Sequence, residues 1–169
     1  FFVLIVSMII REIQKVDNET VAQIIRSAFE ELGAPKTRTV YSDPTTDSLY
    51  ELFEGSDKSQ LFVAEEDGQV LGSCGVFPTE GLEEGVAELV KFYLRPSARG
   101  KGIGKKLFER SISAAIAMDY HSLYIESGTV FKDAVQLYLQ YGFEYLKHPL
   151  GNSGHSNCNI WMIKHLQNE

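Results

Sequence analysis

The sequence predicts a mixed α/β domain, and three observations carry that reading. Apolar runs of strand length recur at 61–64, 70–77 and 85–94, bounded by turn residues. Apolar residues recur at helical spacing at Val21, Ile24, Ile25, Ala28 and Phe29, and again at Ile103, Leu107, Phe108, Ala115 and Met118. Between the last strand-like run and the second helical pattern stands Arg99-Gly-Lys-Gly-Ile-Gly104, a turn rich in glycine. At 169 residues, 44% hydrophobic and 23% charged, the chain is globular and long enough for one full core.

Taken in order, Phe1 to Ile10 is almost wholly apolar, yet it is too short to span a bilayer and lacks the cationic flank of a signal peptide. Phe1 to Ser7 reads as a leader ahead of a single domain over 8–169, with an extra strand or a dimer contact as the alternative. Ile9 to Ile13 is a first strand, and Asp17 or Asn18 caps a helix that Gly33 ends. The polar stretch 34–47, with two prolines, is a loop, and Leu49 to Phe53 a short second helix. Glu66-Asp67-Gly68-Gln69 joins the next two strands as a hairpin. After the glycine-entered helix, Leu123 to Ser127 is a fifth strand and Val130 to Tyr141 a helix. Phe143 to Leu146 and Asn159 to Ile163 close the sheet around a loop over 148–156. There is no internal repeat, low-complexity tract or linker.

Glycines at 100, 102 and 104 permit dihedrals that other residues avoid and leave room for a close ligand. At a helix start, unpaired N–H groups and the positive end of the helix dipole form a site for phosphate. Lys91, Arg95, Arg99, Lys101, Lys105, Lys106 and Arg110 stand here against one acid, Glu109, in a chain of net charge −7. That basic block is local; a solvated helix face is the plainer reading of such a run. An acidic chain lacks the footprint of a nucleic-acid binder, and it would attract cationic amines. No Ser or Thr follows the Gly-Lys pair as a P-loop requires, and Lys105 stands where a dinucleotide fingerprint needs its third glycine. Cys74 and Cys158 supply neither a metal-ligand spacing nor a disulfide framework, which points to a reducing compartment, the cytoplasm.

What fits is Arg/Gln-x-x-Gly-x-Gly/Ala, carried by Arg99, Gly102 and Gly104, and here the chain resembles the GCN5-related N-acetyltransferase (GNAT) superfamily. The resemblance extends to Ala87-Glu-Leu-Val-Lys-Phe-Tyr-Leu-Arg-Pro96, similar to the family's fourth strand, and to Ala134-Val-Gln-Leu-Tyr-Leu-Gln-Tyr-Gly-Phe143, similar to its late helix and turn. It implies a twisted, mostly antiparallel mixed sheet of six to seven strands with helices on both faces, splayed between strands four and five. It also implies an acyltransferase that moves acetyl from acetyl-CoA to a small-molecule or peptide amine by direct transfer. A non-catalytic acetyl-CoA sensor is the alternative. Neither nucleic acid nor membrane is an expected partner, and a homodimer is left open.

The resemblance assigns residues as well. Backbone groups at Phe92, Tyr93 and Leu94 would pair with the pantetheine arm, and the N–H of Leu94 would polarise the thioester carbonyl. Backbone N–H groups across Arg99, Gly100, Lys101, Gly102, Ile103 and Gly104 would hold the pyrophosphate. Tyr138 occupies the general-acid position; by spacing alone it shares a helical face with Ala134, Leu137 and Tyr141 and reads as core. Glu88 and Glu126 compete as general base, a carboxylate at 88 being unusual in a strand of Val, Leu and Phe. Many members carry an asparagine after the fifth strand, where this chain has Ser127-Gly-Thr129. Tyr41 and Tyr50 are expected substrate contacts or packing residues, and the loops over 34–47 and 148–156 the walls of the acceptor site. A Cys158 nucleophile with a His155 base is the less favoured covalent route.

Overall fold

A computed structural model describes residues 7–167, so the expected leader falls, apart from Ser7, outside the described residues. The elements are β1 (Met8–Glu12), α1 (Asn18–Leu32), α2 (Leu49–Glu54), β2 (Gln60–Glu66), β3 (Gln69–Phe77), β4 (Val86–Leu94), α3 (Ile103–Ala117), β5 (Ser122–Ser127), α4 (Lys132–Gln140), β6 (Glu144–Leu146) and β7 (Ile160–His165). The strands form one sheet in the order β1-β2-β3-β4-β5-β7-β6. Every neighbouring pair is antiparallel except β4 and β5, which run parallel. No helix among the described residues is long and apolar enough to cross a membrane.

Strand alternation divides the core between the two faces. Along β2, Leu61 and Val63 join Val21, Ile25, Phe29, Leu49 and Phe53 of α1 and α2, whereas Phe62 and Ala64 join Leu107, Phe108 and Ala115 of α3. Gly33 ends α1 in the left-handed conformation, with φ 64°. The expected side-chain cap does not form. Asp17 stands at the cap position, but its carboxylate is taken by the Arg11 guanidinium at 2.8 and 3.0 Å and by the Gln14 N–H at 2.7 Å. Asn18 instead accepts from the Tyr50 N–H at 2.8 Å and donates to Glu51 at 2.7 Å, which ties α1 to α2. The hairpin turn has Asp67 at φ 52° and Gly68 at φ 75°, both left-handed as a type I′ turn requires.

Two irregularities in the middle of the sheet shape the site. The first is a bulge: Ser73 pairs with Tyr93 and Gly75 with Val90, so Lys91 and Phe92 both stand opposite Cys74. Lys91 takes φ 57° there, and the Ser73 hydroxyl donates to its carbonyl at 2.6 Å. The extra residue shifts the alternation, so Leu89 and Phe92 share the α3 face although they are three positions apart. The second is a parting of strands. The β4/β5 ladder runs only from Val86–Ser122 to Glu88–Tyr124, and beyond Glu88 the two strands separate, the splay that the family resemblance implies.

Gly75 makes the bulged region packable. A Cβ on it would stand 2.5 Å from the Gln60 carbonyl oxygen and 2.9 Å from Leu61 Cα, both backbone atoms that cannot swing aside. Gly75→Ala is therefore expected to lower stability by about 1–3 kcal/mol, as overpacking does. Urea unfolding checks it; an unchanged midpoint would show that β2 and β3 part without cost.

Candidate functional site

The gap between β4 and β5 begins with an edge of free backbone. Arg95 N–H donates to the Leu71 carbonyl at 2.8 Å, so ladder alternation turns the N–H of the preceding Leu94 away from β3 and toward the gap. At its end lies the glycine turn. Gly100 and Gly102 have φ 75° and 78°, and the space where their Cβ atoms would sit is open. Gly104 is required for another reason, since its Cβ would approach Leu94 Cδ1 to 2.9 Å and Phe92 Cζ to 3.4 Å, so α3 could not pack as closely on β4. Helix α3 has no side-chain cap, and no acceptor among the described residues takes the N–H of Gly100, Lys101, Gly102, Ile103 or Gly104. Arg99 differs from them. Its N–H donates to the Pro96 carbonyl at 3.2 Å, and its guanidinium to Glu31 at 2.8 Å and the Leu94 carbonyl at 3.1 Å, so it braces the turn.

The other end of the gap opens into a cavity of about 670 Å³. Glu88, Lys91, Phe92 and Tyr93 line it from β4, Glu126 and Ser127 from β5, and Tyr138 from α4. The loops over 34–47 and 148–156, expected to wall an acceptor site, both line this cavity and grip each other. His155 Nε2 lies 3.0 Å from Asp43 Oδ2, and the Asn157 amide donates to the Thr37 carbonyl at 2.7 Å.

Glu88 is 6% exposed and accepts from the Thr79 hydroxyl at 2.5 Å. Burial pushes its carboxyl up to about 7; the Thr79 bond opposes the shift, Glu126 adds to it and Lys91 opposes it. Glu126 is also raised by burial, but it is more fully engaged: Ser153 Oγ lies 3.0 and 2.9 Å from its two oxygens, and Tyr124 donates at 3.1 Å. Glu126 thus anchors the loop over 148–156 to the sheet. The Tyr138 ring packs among Phe92, Phe108 and Phe143, and burial raises its hydroxyl above the ordinary tyrosine value. That hydroxyl has no hydrogen-bond partner among the described residues. No fully enclosed side-chain polar atom lacks one, so the hydroxyl opens onto the cavity that Tyr138 lines.

Several expectations change in detail. Tyr41 and Tyr50 do not line the cavity but pack against the core on the α1 side, the second of the two readings; the Tyr41 hydroxyl donates to Glu30 at 2.7 Å, and Phe29, Val40 and Phe53 form the wall. Cys158 does line it, but burial, with Glu126 and Glu88 nearby, pushes its thiol up to about 12, and the His155 ring is held by Asp43. A protonated thiol without a free base is a poor nucleophile. Asn159, at the start of β7, reaches the place of the missing asparagine, where its Oδ1 accepts from Thr129 N–H at 3.1 Å. Thr79, Asp43 and the inward course of Lys91 escaped the sequence reading. Only the bulge would have revealed Lys91, and an isolated lysine in a strand does not announce one.

An elongated carrier with an anionic end would lie along this gap, its anion on the α3 terminus and its reactive end in the cavity, as a carrier-dependent acyltransferase requires. Comparison with known proteins gives the class a family. The model described as Acetyltransferase (GNAT) family matches residues 20–143. The uncharacterized N-acetyltransferase YjgM of Escherichia coli K12 is 35% identical over 162 residues, covering 95% of this chain and 96% of that protein. The IAA acetyltransferase of Azospirillum brasilense is 32% identical over 107 residues, covering 63% and 68%. Among solved structures, a GNAT-family acetyltransferase of Staphylococcus aureus Mu50 superposes with TM-score 0.84 at 20% identity, over 95% of this chain and all of that one. The protein yncA of Salmonella typhimurium, solved with its cofactor acetyl-CoA, gives 0.75 at 20% identity over 96% of each chain. The chain belongs to the GNAT acetyltransferase family and is an acyltransferase.

Proposed function

We propose that this protein is an N-acetyltransferase that moves acetyl from acetyl-CoA to a primary amine by direct transfer, with Glu88 as general base and Tyr138 as general acid. Acetyl-CoA supplies an activated thioester. The chain's own groups suit that donor: the unpartnered N–H groups from Gly100 to Gly104 match a pyrophosphate, and the edge that Phe92 and Leu94 turn toward the gap matches an amide-bearing arm. The Leu94 N–H, turned into the gap, is a donor for a carbonyl oxygen that gains charge.

The observation that carries the reading is Glu88. It is a buried carboxylate beside the gap, held by one hydroxyl and raised to about 7, where a base best combines its deprotonated fraction with basicity. Its oxygen takes the amine proton as nitrogen attacks the acetyl carbon. The Tyr138 hydroxyl returns a proton to the departing sulfur, and Phe29, Phe53 and Phe131 give the same cavity an apolar wall. Glu126 is assigned to the loop it anchors. The free thiols of Cys74 and Cys158 accord with a reducing compartment, the cytoplasm.

The test is acetyl-CoA-dependent thiol release across polyamines, aminoglycosides, free amino acids and short peptides. Release with one class establishes the reaction. Binding of acetyl-CoA with silence across all classes would favour the sensor reading.

A further inference from the structure

Four acidic residues line the cavity; Glu80 is exposed, and the three less exposed ones have partners. Asp43 is engaged by His155 at 3.0 Å and by the Thr45 N–H and hydroxyl at 2.9 and 2.8 Å. Ser153 and Tyr124 hold Glu126, and Thr79 holds Glu88. Lys91 is the exception. Its ammonium has no hydrogen bond and no ion pair among the described residues, yet the residue is only partly exposed and burial pulls its pKa below the ordinary lysine value. Because no fully enclosed side-chain nitrogen or oxygen lacks a partner, Nζ opens onto the cavity. The same residue carries a left-handed φ of 57° at the bulge, a conformation that costs a non-glycine residue free energy. A lysine serving only solubility would extend into water from an unstrained backbone; this one is strained and directed inward.

We propose that Lys91 receives the carboxylate of the acceptor, and that the acceptor is a free α-amino acid with an apolar side chain. This rests on the N-acetyltransferase reading above and narrows it. Glu88 and Lys91 line the same cavity from one strand, three positions apart. An α-amino acid presents an amine and a carboxylate on a single carbon, the amine for Glu88 and the carboxylate for Lys91. Its side chain would meet a wall built from Phe29, Val40, Phe53, Phe77 and Phe131. A polyamine would bring a second cation against Lys91, and a peptide N-terminus would offer a neutral amide in place of the carboxylate. In the reaction the amine nitrogen bonds to the acetyl carbon, the carbon–sulfur bond breaks, the amine proton goes to Glu88 and the sulfur is protonated by Tyr138. The products are an N-acetylamino acid and a free thiol.

The experiment compares L-phenylalanine, L-leucine and L-methionine with their amides as acceptors for the wild type, Lys91→Met and Lys91→Arg, by thiol release and by calorimetric binding with CoA present. The expected result is a wild-type preference for the acids. Lys91→Met then raises KM for the acids by roughly 30-fold, the scale of a lost desolvated charge contact, while leaving the amides nearly unchanged. Lys91→Arg recovers part of the loss. Wild-type protein that uses amides as well as acids overturns the proposal, and this comparison stands even if the methionine variant does not fold. An equal loss for acids and amides in a folded Lys91→Met also overturns it. Amino acids that bind through Lys91 without thiol release would keep the binding site and sink its role as an acceptor site; neither binding nor release would sink this proposal and leave the N-acetyltransferase reading to the wider panel of amines.

Discussion

Glu88→Gln is expected to turn acceptors over about 10²- to 10⁴-fold more slowly, the usual range for loss of a positioned base. The pH profile should change with it. Glu88 is raised from its ordinary 4.5 to about 7, so the wild-type rate climbs as pH rises through about 7, where the carboxyl loses its proton. The glutamine variant keeps only the limb set by the acceptor amine itself. The same shift has a stability consequence of opposite sense. A carboxyl with a raised folded pKa favours the native state below about 4.5, and that contribution disappears as pH rises through about 7. Glutamine can still accept the Thr79 hydroxyl bond and carries no charge to bury. At pH 8 the variant should therefore be more stable than the wild type, on the order of 3 kcal/mol, a figure that already includes the attraction of Lys91 for the carboxylate. Stopped-assay kinetics and urea melts at pH 6 and 8 decide both parts. A variant that is slower at every pH by the same factor, with the limb near 7 intact, would move the base elsewhere.

Tyr138→Phe should cost a comparable factor in turnover while leaving acetyl-CoA binding intact. The ring is fixed by Phe92, Phe108 and Phe143, and phenylalanine reproduces those contacts. The hydroxyl bonds to nothing among the described residues, so its removal leaves no orphaned partner there and should change stability little. A loss in kcat would therefore report on chemistry. Burial keeps the proton on oxygen at neutral pH, as a donor to a thiolate requires. Unchanged turnover would return Tyr138 to the core, where helical spacing alone had placed it.

The elements that periodicity specifies strongly were legible. Helix α1 buries Val21, Ile24, Ile25, Ala28 and Phe29 as its spacing predicts, and α3 begins at Ile103, directly after Gly102. The cap of α1 was misread because Asp17 had a stronger suitor: Arg11, six positions away, offers two charge-assisted bonds where a cap offers weaker neutral donors. The turn before α3 was legible because its glycines are local signals, and the parting of β4 and β5 through the family resemblance. The loops over 34–47 and 148–156 were legible as walls of the cavity, but their pairing was not, since its contacts are long-range; Asp43 meets His155 across 112 positions, and no pattern in either loop encodes that meeting. Lys91 escaped for the same reason, because a bulge depends on the register between two strands and not on either sequence alone.

The grip between the two loops limits how acceptor preference can change. The loop over 148–156 is moored to the sheet by Glu126, and just beyond it Asn157 meets Thr37 as His155 meets Asp43. A foreign loop grafted at either position alone would strand the donors and acceptors of the other. On the proposed reading, acceptor choice therefore rests on a matched pair of segments, and a designer seeking a new acceptor would have to transplant both while leaving the gap between β4 and β5 untouched.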